Sequence, residues 1–367
     1  MVDDHSKKRI CFVVTSLTRN GVSRVLQILL ERINREKYDV SVLLTMHRAH
    51  YWEIPDGIRL IEPVGSDLQS GFTGKIKAVK ILNRTLKEEQ FDLVIALGDY
   101  AAMYIALAMA GVKSRLIVSE RNDPEREPDK RLYRRLRDHL YAKAELVVCQ
   151  TFDAANYFIR HGSDACTVIP NPVRQDLPMW NAGKVKRIVN FCRIDKQKNL
   201  PLLLEAFQIL LDVHPEYQLD LYGDGPEKPS LIHQVQEMHL HGSVMFHPFS
   251  DDVHKRIQDA SMFVSSSDYE GISNSMLEAL AMGMPVICTD CPVGGAALAI
   301  HDDETGILVP CGDAKALADA MIHLADHPEE AARLGKNAEM IRTTFHPDRI
   351  AARWEKCIDE LSTDWRR

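Results

Sequence analysis

At 367 residues the chain is too long for one ordinary α/β domain and suits two of roughly 150–200 residues each. An apolar fraction of 45% supports substantial cores, and 26% charged residues fits a globular protein. A formal net charge of −7 sets nucleic acid aside as a partner, and no run approaches the ~20 apolar residues that cross a bilayer.

Residues 1–9 are polar, and the apolar run behind them, Ile10-Cys-Phe-Val-Val14, is too short for a signal core, so a cytoplasmic location is expected. Short apolar runs then alternate with longer amphipathic stretches, the pattern of repeated βα units on parallel sheets. In the first half the strands are expected at 10–14, 39–44, 93–96, 116–118, 146–149 and 167–169, with helices at 22–33 and 75–89. The prolines and polar residues between 169 and 184 read as a linker. The rhythm restarts behind it, with strands at 188–192, 218–222, 244–246, 262–265, 285–289 and 306–309. Helices fall at 200–211, 228–238, 274–282 and 314–326, and a last helix at 347–361 is expected to pack back on the first domain. The fold class is therefore α/β, with two Rossmann-like domains whose parallel sheets face each other across a cleft. The domains are placed at 1–175, joined by a carboxyl-terminal helix within 347–367, and at 183–346. Ligands of open α/β sheets bind beyond the carboxyl ends of the strands, so the chemistry is sought in loops that follow strands.

The strongest such loop follows the strand at 262–265. It runs Ser266-Ser-Asp-Tyr-Glu-Gly-Ile-Ser-Asn-Ser-Met-Leu-Glu278 into a helix. A helix amino terminus presents amides and a positive dipole end to an anion. Gly271 lets the backbone approach a ligand, while Ile272, Ser273, Asn274 and Ser275 supply amides and short donors. Glu270 and Glu278 flank this anion site, and a carboxylate suits vicinal hydroxyls of a ribose or hexose rather than phosphate. The plainer alternative is a capping box, with Ser275 as N-cap and Glu278 three residues on. A second loop, Phe191-Cys-Arg-Ile-Asp-Lys-Gln-Lys-Asn-Leu200, presents Arg193 and Lys198 as cations behind a strand.

Glu-x7-Glu within the stretch Glu270-Gly271…Glu278-Ala279…Ala281…Gly283…Pro285-Val286 resembles the donor-site signature of the family-4 retaining glycosyltransferases of GT-B fold. That resemblance implies that Glu270 contacts the donor sugar, Glu278 the nucleotide ribose, and the amides after Gly271 the diphosphate. Arg193 and Lys198 match the family's Arg and Lys, which would stabilise charge on the departing nucleoside diphosphate. Tyr222-Gly-Asp-Gly-Pro226 is similar to the family's turn near the nucleobase and marks Gly223 for donor binding. At Phe246-His-Pro-Phe249, Pro248 stands where relatives have Gly. In the first domain, Thr15-Ser-Leu-Thr-Arg-Asn-Gly-Val-Ser-Arg24 keeps Gly21 of a Gly-Gly-x-x-Arg type loop, with Asn20 expected at positive φ. Val118-Ser-Glu-Arg-Asn-Asp-Pro124 has no His where many relatives do, so Glu120, Arg121, Asn122 and Asp123 become candidates for acceptor contact. The implied reaction moves a sugar from a nucleotide sugar, by family habit a UDP-hexose or UDP-N-acetylhexosamine, to an oligosaccharide or polyprenyl-diphosphate-linked acceptor of bacterial surface glycan synthesis. The leaving phosphate would accept the acceptor's proton; neither cofactor nor metal is implied, and no Asp-x-Asp occurs.

Residues 126–143 carry seven cations against three acids, interleaved with Leu132, Tyr133, Leu136, Leu140 and Tyr141 at helical spacing. Such a basic amphipathic helix suits an anionic membrane surface, placing the protein peripherally on the inner face of the plasma membrane. The eight cysteines are expected to be reduced and mostly buried, and the close pair Cys288-Thr-Asp-Cys291 has no partner pair or His at zinc-finger spacing. Three other functions share the architecture. A dinucleotide-dependent dehydrogenase needs G-x-G-x-x-G after the first strand, which is missing. A sugar-nucleotide epimerase would bind the donor without transferring to an acceptor. A non-catalytic nucleotide-sugar-binding subunit would have no need of Arg193, Lys198, Glu270 and Glu278 together.

Overall fold

A computed structural model describes residues 7–65, 71–181 and 185–363. The end of the expected linker, 182–184, and of the last helix, 364–367, lie outside the described residues. The chain forms two units, one running to Pro172 and resuming at Pro347, the other from Val173 to His346.

The first unit begins β1 (Lys8–Val14), α1 (Gly21–Arg32), β2 (Tyr38–Leu44), β3 (Arg59–Ile61), α2 (Gly71–Glu89), β4 (Leu93–Leu97) and α3 (Asp99–Ala108). It continues with β5 (Arg115–Ser119), α4 (Arg131–Tyr141), β6 (Leu146–Cys149), α5 (Phe152–Arg160) and β7 (Cys166–Val168). The seven strands form one parallel sheet in the order β3-β2-β1-β4-β5-β6-β7. Its central strands are continuously apolar over 10–14 of β1 and 93–97 of β4 because helices cover both faces. β3 escapes the sequence pattern because it is three residues long and lies at the sheet edge, where no face needs a continuous apolar run.

The second unit runs β8 (Val185–Phe191), α6 (Leu200–Val213), β9 (Gln218–Tyr222), α7 (Lys228–Glu237), β10 (Val244–His247), α8 (Val253–Ile257), β11 (Ala260–Ser265) and α9 (Asn274–Met282). Then come β12 (Val286–Asp290), β13 (Ile307–Pro310), α10 (Ala314–Asp326), α11 (Pro328–Ala338) and α12 (Ile341–Thr344). Its six strands are also parallel, in the order β10-β9-β8-β11-β12-β13. The strand order reverses at β8, which lies between β9 and β11. A crevice opens at such a reversal, and the loops that follow β8 and β11 are the two that border it.

The last helix, α13 (Pro347–Thr363), returns to the first unit. Trp354 is fully buried there, packed with Ile350, Ala351 and Ile358 among the residues of β1, β2 and α1. The boundary between the units falls three residues earlier than the sequence expectation of 175. The Val173 amide donates to Phe345 O at 2.9 Å, and its side chain joins the second core. Much of the expected linker is packed as well, since Trp180 donates from its indole to Ala260 O at 2.7 Å.

Helix α4 differs from a wholly solvated basic helix. Arg137 is fully buried, as are Leu140 and Tyr141, while Leu132 is 73% exposed and Tyr133 and Leu136 also face solvent. Arg137 therefore belongs to the interior and not to the basic surface. No helix among the described residues is long and apolar enough to cross a membrane.

Candidate functional site

The loops after β8 and β11 are fastened together by their own polar groups. Ser266 Oγ lies 3.0 Å from both Lys198 O and Asn199 O, and the Asp268 amide donates to Gln197 O at 2.9 Å. Asn199, in the left-handed region at φ 42°, donates from its side chain to Asp268 Oδ1 at 2.7 Å. This brings the Glu270 carboxylate against the Lys198 ammonium. Gln197 Nε2 also donates to Glu270 Oε2 at 3.1 Å, and Ser267 Oγ to Oε1 at 3.0 Å. Burial alone would lower the Lys198 pKa, but the Glu270 charge beside it prevails and holds the ammonium above the ordinary lysine value. Arg193 behaves differently. Its side chain is 71% exposed and reaches Asp195 Oδ2 at 3.1 Å from Nε. One cation is thus fixed and the other is presented outward on the same loop.

Helix α9 starts at Asn274, with Ser273 as its N-cap and Ser273 Oγ accepting from the Met276 amide at 3.4 Å. The capping box anticipated from Ser275 and Glu278 does not form, because the helix begins two residues earlier than that box requires. Glu278 faces the interior at 4% exposure and meets His254 Nε2 at 2.7 Å. The positive end of α9 is thereby flanked by Glu270 on the loop and Glu278 one turn in. Close backbone packing supports the loop from behind: a Cβ on Gly295 would fall 1.5 Å from Gly271 O.

The turn after β9 is also more than an ordinary Asp-Gly turn. Gly223 adopts φ 144°, and a Cβ there would sit 2.0 Å from Cys192 O. A Cβ on Gly225 would meet Ile194 O at the same distance, 2.0 Å. Both glycines let this turn lie directly on the loop that carries Arg193. Beside it, the His247 and Tyr222 rings stack at 4.3 Å between centroids, and Phe249 is exposed behind Pro248.

In the first unit, Gly21 opens α1 and Asn20 caps it, accepting from the Ser23 amide at 2.8 Å. Asn20 is extended at φ −141°, so the expectation of a positive φ is corrected: its side chain serves as a cap. After β5, Glu120 turns inward at 1% exposure and accepts from the amides of Arg121 at 2.9 Å and Asn122 at 3.2 Å. The buried Arg137 lies 3.5 Å from Glu120 Oε2 and donates to Pro124 O at 2.7 Å and to Glu127 O. Burial drives the Glu120 carboxyl up to about 7, against the pull of Arg137 and with Asp99 adding to the rise. Asp123 is likewise buried, whereas Arg121 and Asn122 are partly exposed. Arg121 Nη1 is held by Asn171 Oδ1 at 3.1 Å, and burial lowers its pKa to about 10, leaving it cationic at neutral pH.

Residues 20–172 match the family profile described as glycosyl transferase 4-like domain, and residues 180–340 match that of glycosyl transferases group 1. The chain belongs to the family-4 glycosyltransferases of GT-B fold. This glycosyltransferase is 27% identical over 329 residues to the N-acetylgalactosamine-N,N'-diacetylbacillosaminyl-diphospho-undecaprenol 4-alpha-N-acetylgalactosaminyltransferase of Campylobacter jejuni, covering 82% of this chain and 86% of that one. A stretch of 194 residues is 30% identical to an exopolysaccharide phosphotransferase of Streptomyces coelicolor, spanning 53% of this chain but only 20% of that protein. In three dimensions it is similar to Anabaena Alr3699/HepE in a crystal structure with UDP and glucose, at TM-score 0.81 and 19% identity over 95% of this chain and 99% of that one.

Within the glycosyltransferase's second unit, the structure brings Lys198, Glu270, Gly271, Ile272, Ser273, Asn274 and Ser275 to one edge of the sheet, with Arg193 on the loop that carries Lys198 and Gly223 on the turn packed against it. Gln197, Ser267 and His254, which position the two glutamates, are not among the candidates drawn from the sequence. Gln197 and Ser267 sit inside the quoted motifs and were legible as polar residues beside charged ones. His254 is 24 residues from its partner and carried no signal.

Proposed function

We propose that this glycosyltransferase transfers a hexose or N-acetylhexosamine from its UDP conjugate to a hydroxyl of a lipid-linked oligosaccharide in bacterial surface glycan synthesis, with retention at the anomeric carbon and without a metal ion. The observation that carries the reading is the Lys198–Glu270 pair at the strand-order reversal, beside the amino terminus of α9. An ammonium and a carboxylate held together there offer complementary contacts to a diphosphate and to sugar hydroxyls. In this reading Lys198 and Arg193 stabilise charge on the departing diphosphate, which supplies the positive charge a divalent ion would otherwise bring. The backbone from Gly271 to Ser275 receives the phosphates, Glu270 takes the sugar hydroxyls and Glu278 the ribose. The departing phosphate oxygen accepts the acceptor's proton as the new glycosidic bond forms on the face it leaves.

The lipid-linked acceptor is supported by the undecaprenol-diphosphate named for the Campylobacter relative, and the uridine nucleotide by the UDP bound in the Anabaena structure. The exposed Leu132, Tyr133 and Leu136 of α4, next to Arg131 and Arg135, fit contact with an anionic inner membrane surface from the cytoplasmic side. Of the four residues singled out after β5, Asn122 is suited to touch the acceptor, while Arg121 turns its guanidinium inward to Asn171 and the buried Glu120 and Asp123 shape their segment. A melting screen with UDP, GDP, ADP and their sugar conjugates, with and without EDTA, tests the reading. UDP species at 100 times Kd are expected to add about 2.7 kcal/mol in either condition. A shift by no nucleotide would sink the donor site, and a shift abolished by EDTA would sink metal independence.

A further inference from the structure

Behind the Glu270 loop, two cysteines from different strands converge on one carbonyl oxygen. Cys291 follows β12 and Cys311 follows β13, and the preceding residues Asp290 and Pro310 are Cα partners in the parallel ladder. Adjacent strands lie about 4.8 Å apart, inside the ~4.4–6.8 Å Cα separation that a disulfide bridges. Both thiols point the same way: Cys291 Sγ donates to Ser267 O at 3.0 Å, and Cys311 Sγ lies 3.6 Å from the same oxygen. Thr289 Oγ1 donates to it as well at 2.6 Å. Cys291 is buried and Cys311 is exposed, so one sulfur is open to a reagent and the other waits behind it. Turned from that oxygen to the Cys311 sulfur, the Cys291 S–H would hold the Cys311 thiol below its ordinary pKa, against partial burial and the nearby Asp268 and Asp290 charges. A low-pKa accessible thiol beside a resolving one is the arrangement of redox-sensing pairs.

We propose that Cys291 and Cys311 are a reversible thiol–disulfide pair whose oxidation loosens the Glu270 loop. The Cys311 thiolate attacks a small-molecule disulfide, forming a mixed disulfide and releasing one thiol. Cys291 then loses its proton and attacks the Cys311 sulfur, releasing the second thiol. Two protein thiols are oxidised and one disulfide is reduced to two thiols. The product has no S–H, so the Ser267 carbonyl loses both sulfur contacts at once and keeps Thr289. Ser267 is the residue whose hydroxyl holds Glu270, and the segment after Cys291 packs through Gly295 on Gly271 O. The loss of these contacts therefore bears on both ends of the loop.

The effect on donor affinity rests on the donor-site reading above, whereas the thiol chemistry and the loosening do not. The full chain, reduced or treated with oxidised glutathione, is compared by peptide mass mapping, by hydrogen exchange over residues 266–272, and by UDP titration. The expected result is a Cys291–Cys311 cross-link two hydrogens lighter, reversed by dithiothreitol, with faster exchange in that peptide. UDP affinity should fall about fivefold to tenfold, the equivalent of one lost hydrogen-bond partner. Cys311→Ser should keep the reduced protein's affinity and lose every response to oxidant. A mixed disulfide that stays on Cys311, or a cross-link that leaves the 266–272 exchange unchanged, overturns the proposal. A cross-link with faster exchange in a protein that never binds UDP upholds the pair and removes the donor reading instead.

Discussion

Exchanging Lys198 for Met and Glu270 for Gln, singly and together, tests whether the two loops are held by their ion pair. Their side chains are 15% and 13% exposed. Breaking a fully buried pair from one side costs about 3–5 kcal/mol, against about 0–1 kcal/mol for an exposed pair. With that residual exposure, and with Gln197 and Ser267 still donating to Glu270, each single substitution should cost about 1–3 kcal/mol. The double variant leaves no uncompensated charge, so its cost should fall short of the sum by about 1–2 kcal/mol. Urea unfolding of the four proteins reads that coupling. The Lys198 pKa is raised in the folded protein, so the pair's contribution is fully present at neutral pH. It is lost only as pH climbs beyond the ordinary lysine value of about 10.4. Single costs that add to within about 0.3–0.5 kcal/mol would refute the pairing.

Three further outcomes follow from the same geometry. Gly223→Ala places a Cβ 2.0 Å from Cys192 O at φ 144°, and should destabilise the second unit by about 2 kcal/mol or more while weakening UDP binding, as denaturation and titration would show. Glu120 ionises in the folded protein only near pH 7, because burial raises its pKa, whereas the unfolded chain ionises at about 4.3. Its contribution to stability should therefore decline as pH rises between those values, and Glu120→Gln should flatten that part of the melting profile; an identical profile would count against the buried carboxyl. Charge reversal at the exposed Arg131 and Arg135 should abolish co-sedimentation with anionic vesicles, whereas Arg134 is tied to the carbonyls of Pro128 and Asp129 at 2.9 and 2.7 Å and is a poor probe. Unchanged sedimentation would remove α4 as a membrane contact.

Most of the fold could be read from the sequence because parallel strands covered on both faces must be continuously apolar, as 93–97 and 262–264 are. The same physics hid β3, an edge strand that buries little. At the site, Glu270 and Glu278 were legible from spacing, since a loop and a helix turn fix their separation. Their supports were not. His254 reaches Glu278 only through the packing of α8 beside α9, and the inward turn of Arg137 depends on the carbonyls of a segment ten residues and more away. Counting charge along α4 treats all its cations alike, whereas burial separates Arg137 from Arg131 and Arg135. The capping box puts the start of α9 two residues late, because Ser273 and Ser275 compete for the cap and local hydrogen bonds decide between them.

The central claim, that the second unit holds a nucleoside diphosphate sugar between Lys198, Glu278 and the start of α9, is tested most directly by calorimetric titration with UDP. Wild-type protein and the Lys198→Ala and Glu278→Ala variants would be compared. Each variant is expected to bind about tenfold to a hundredfold more weakly, the size of a lost charge-assisted hydrogen bond. Equal affinity in all three proteins, or none in the wild type, would contradict it.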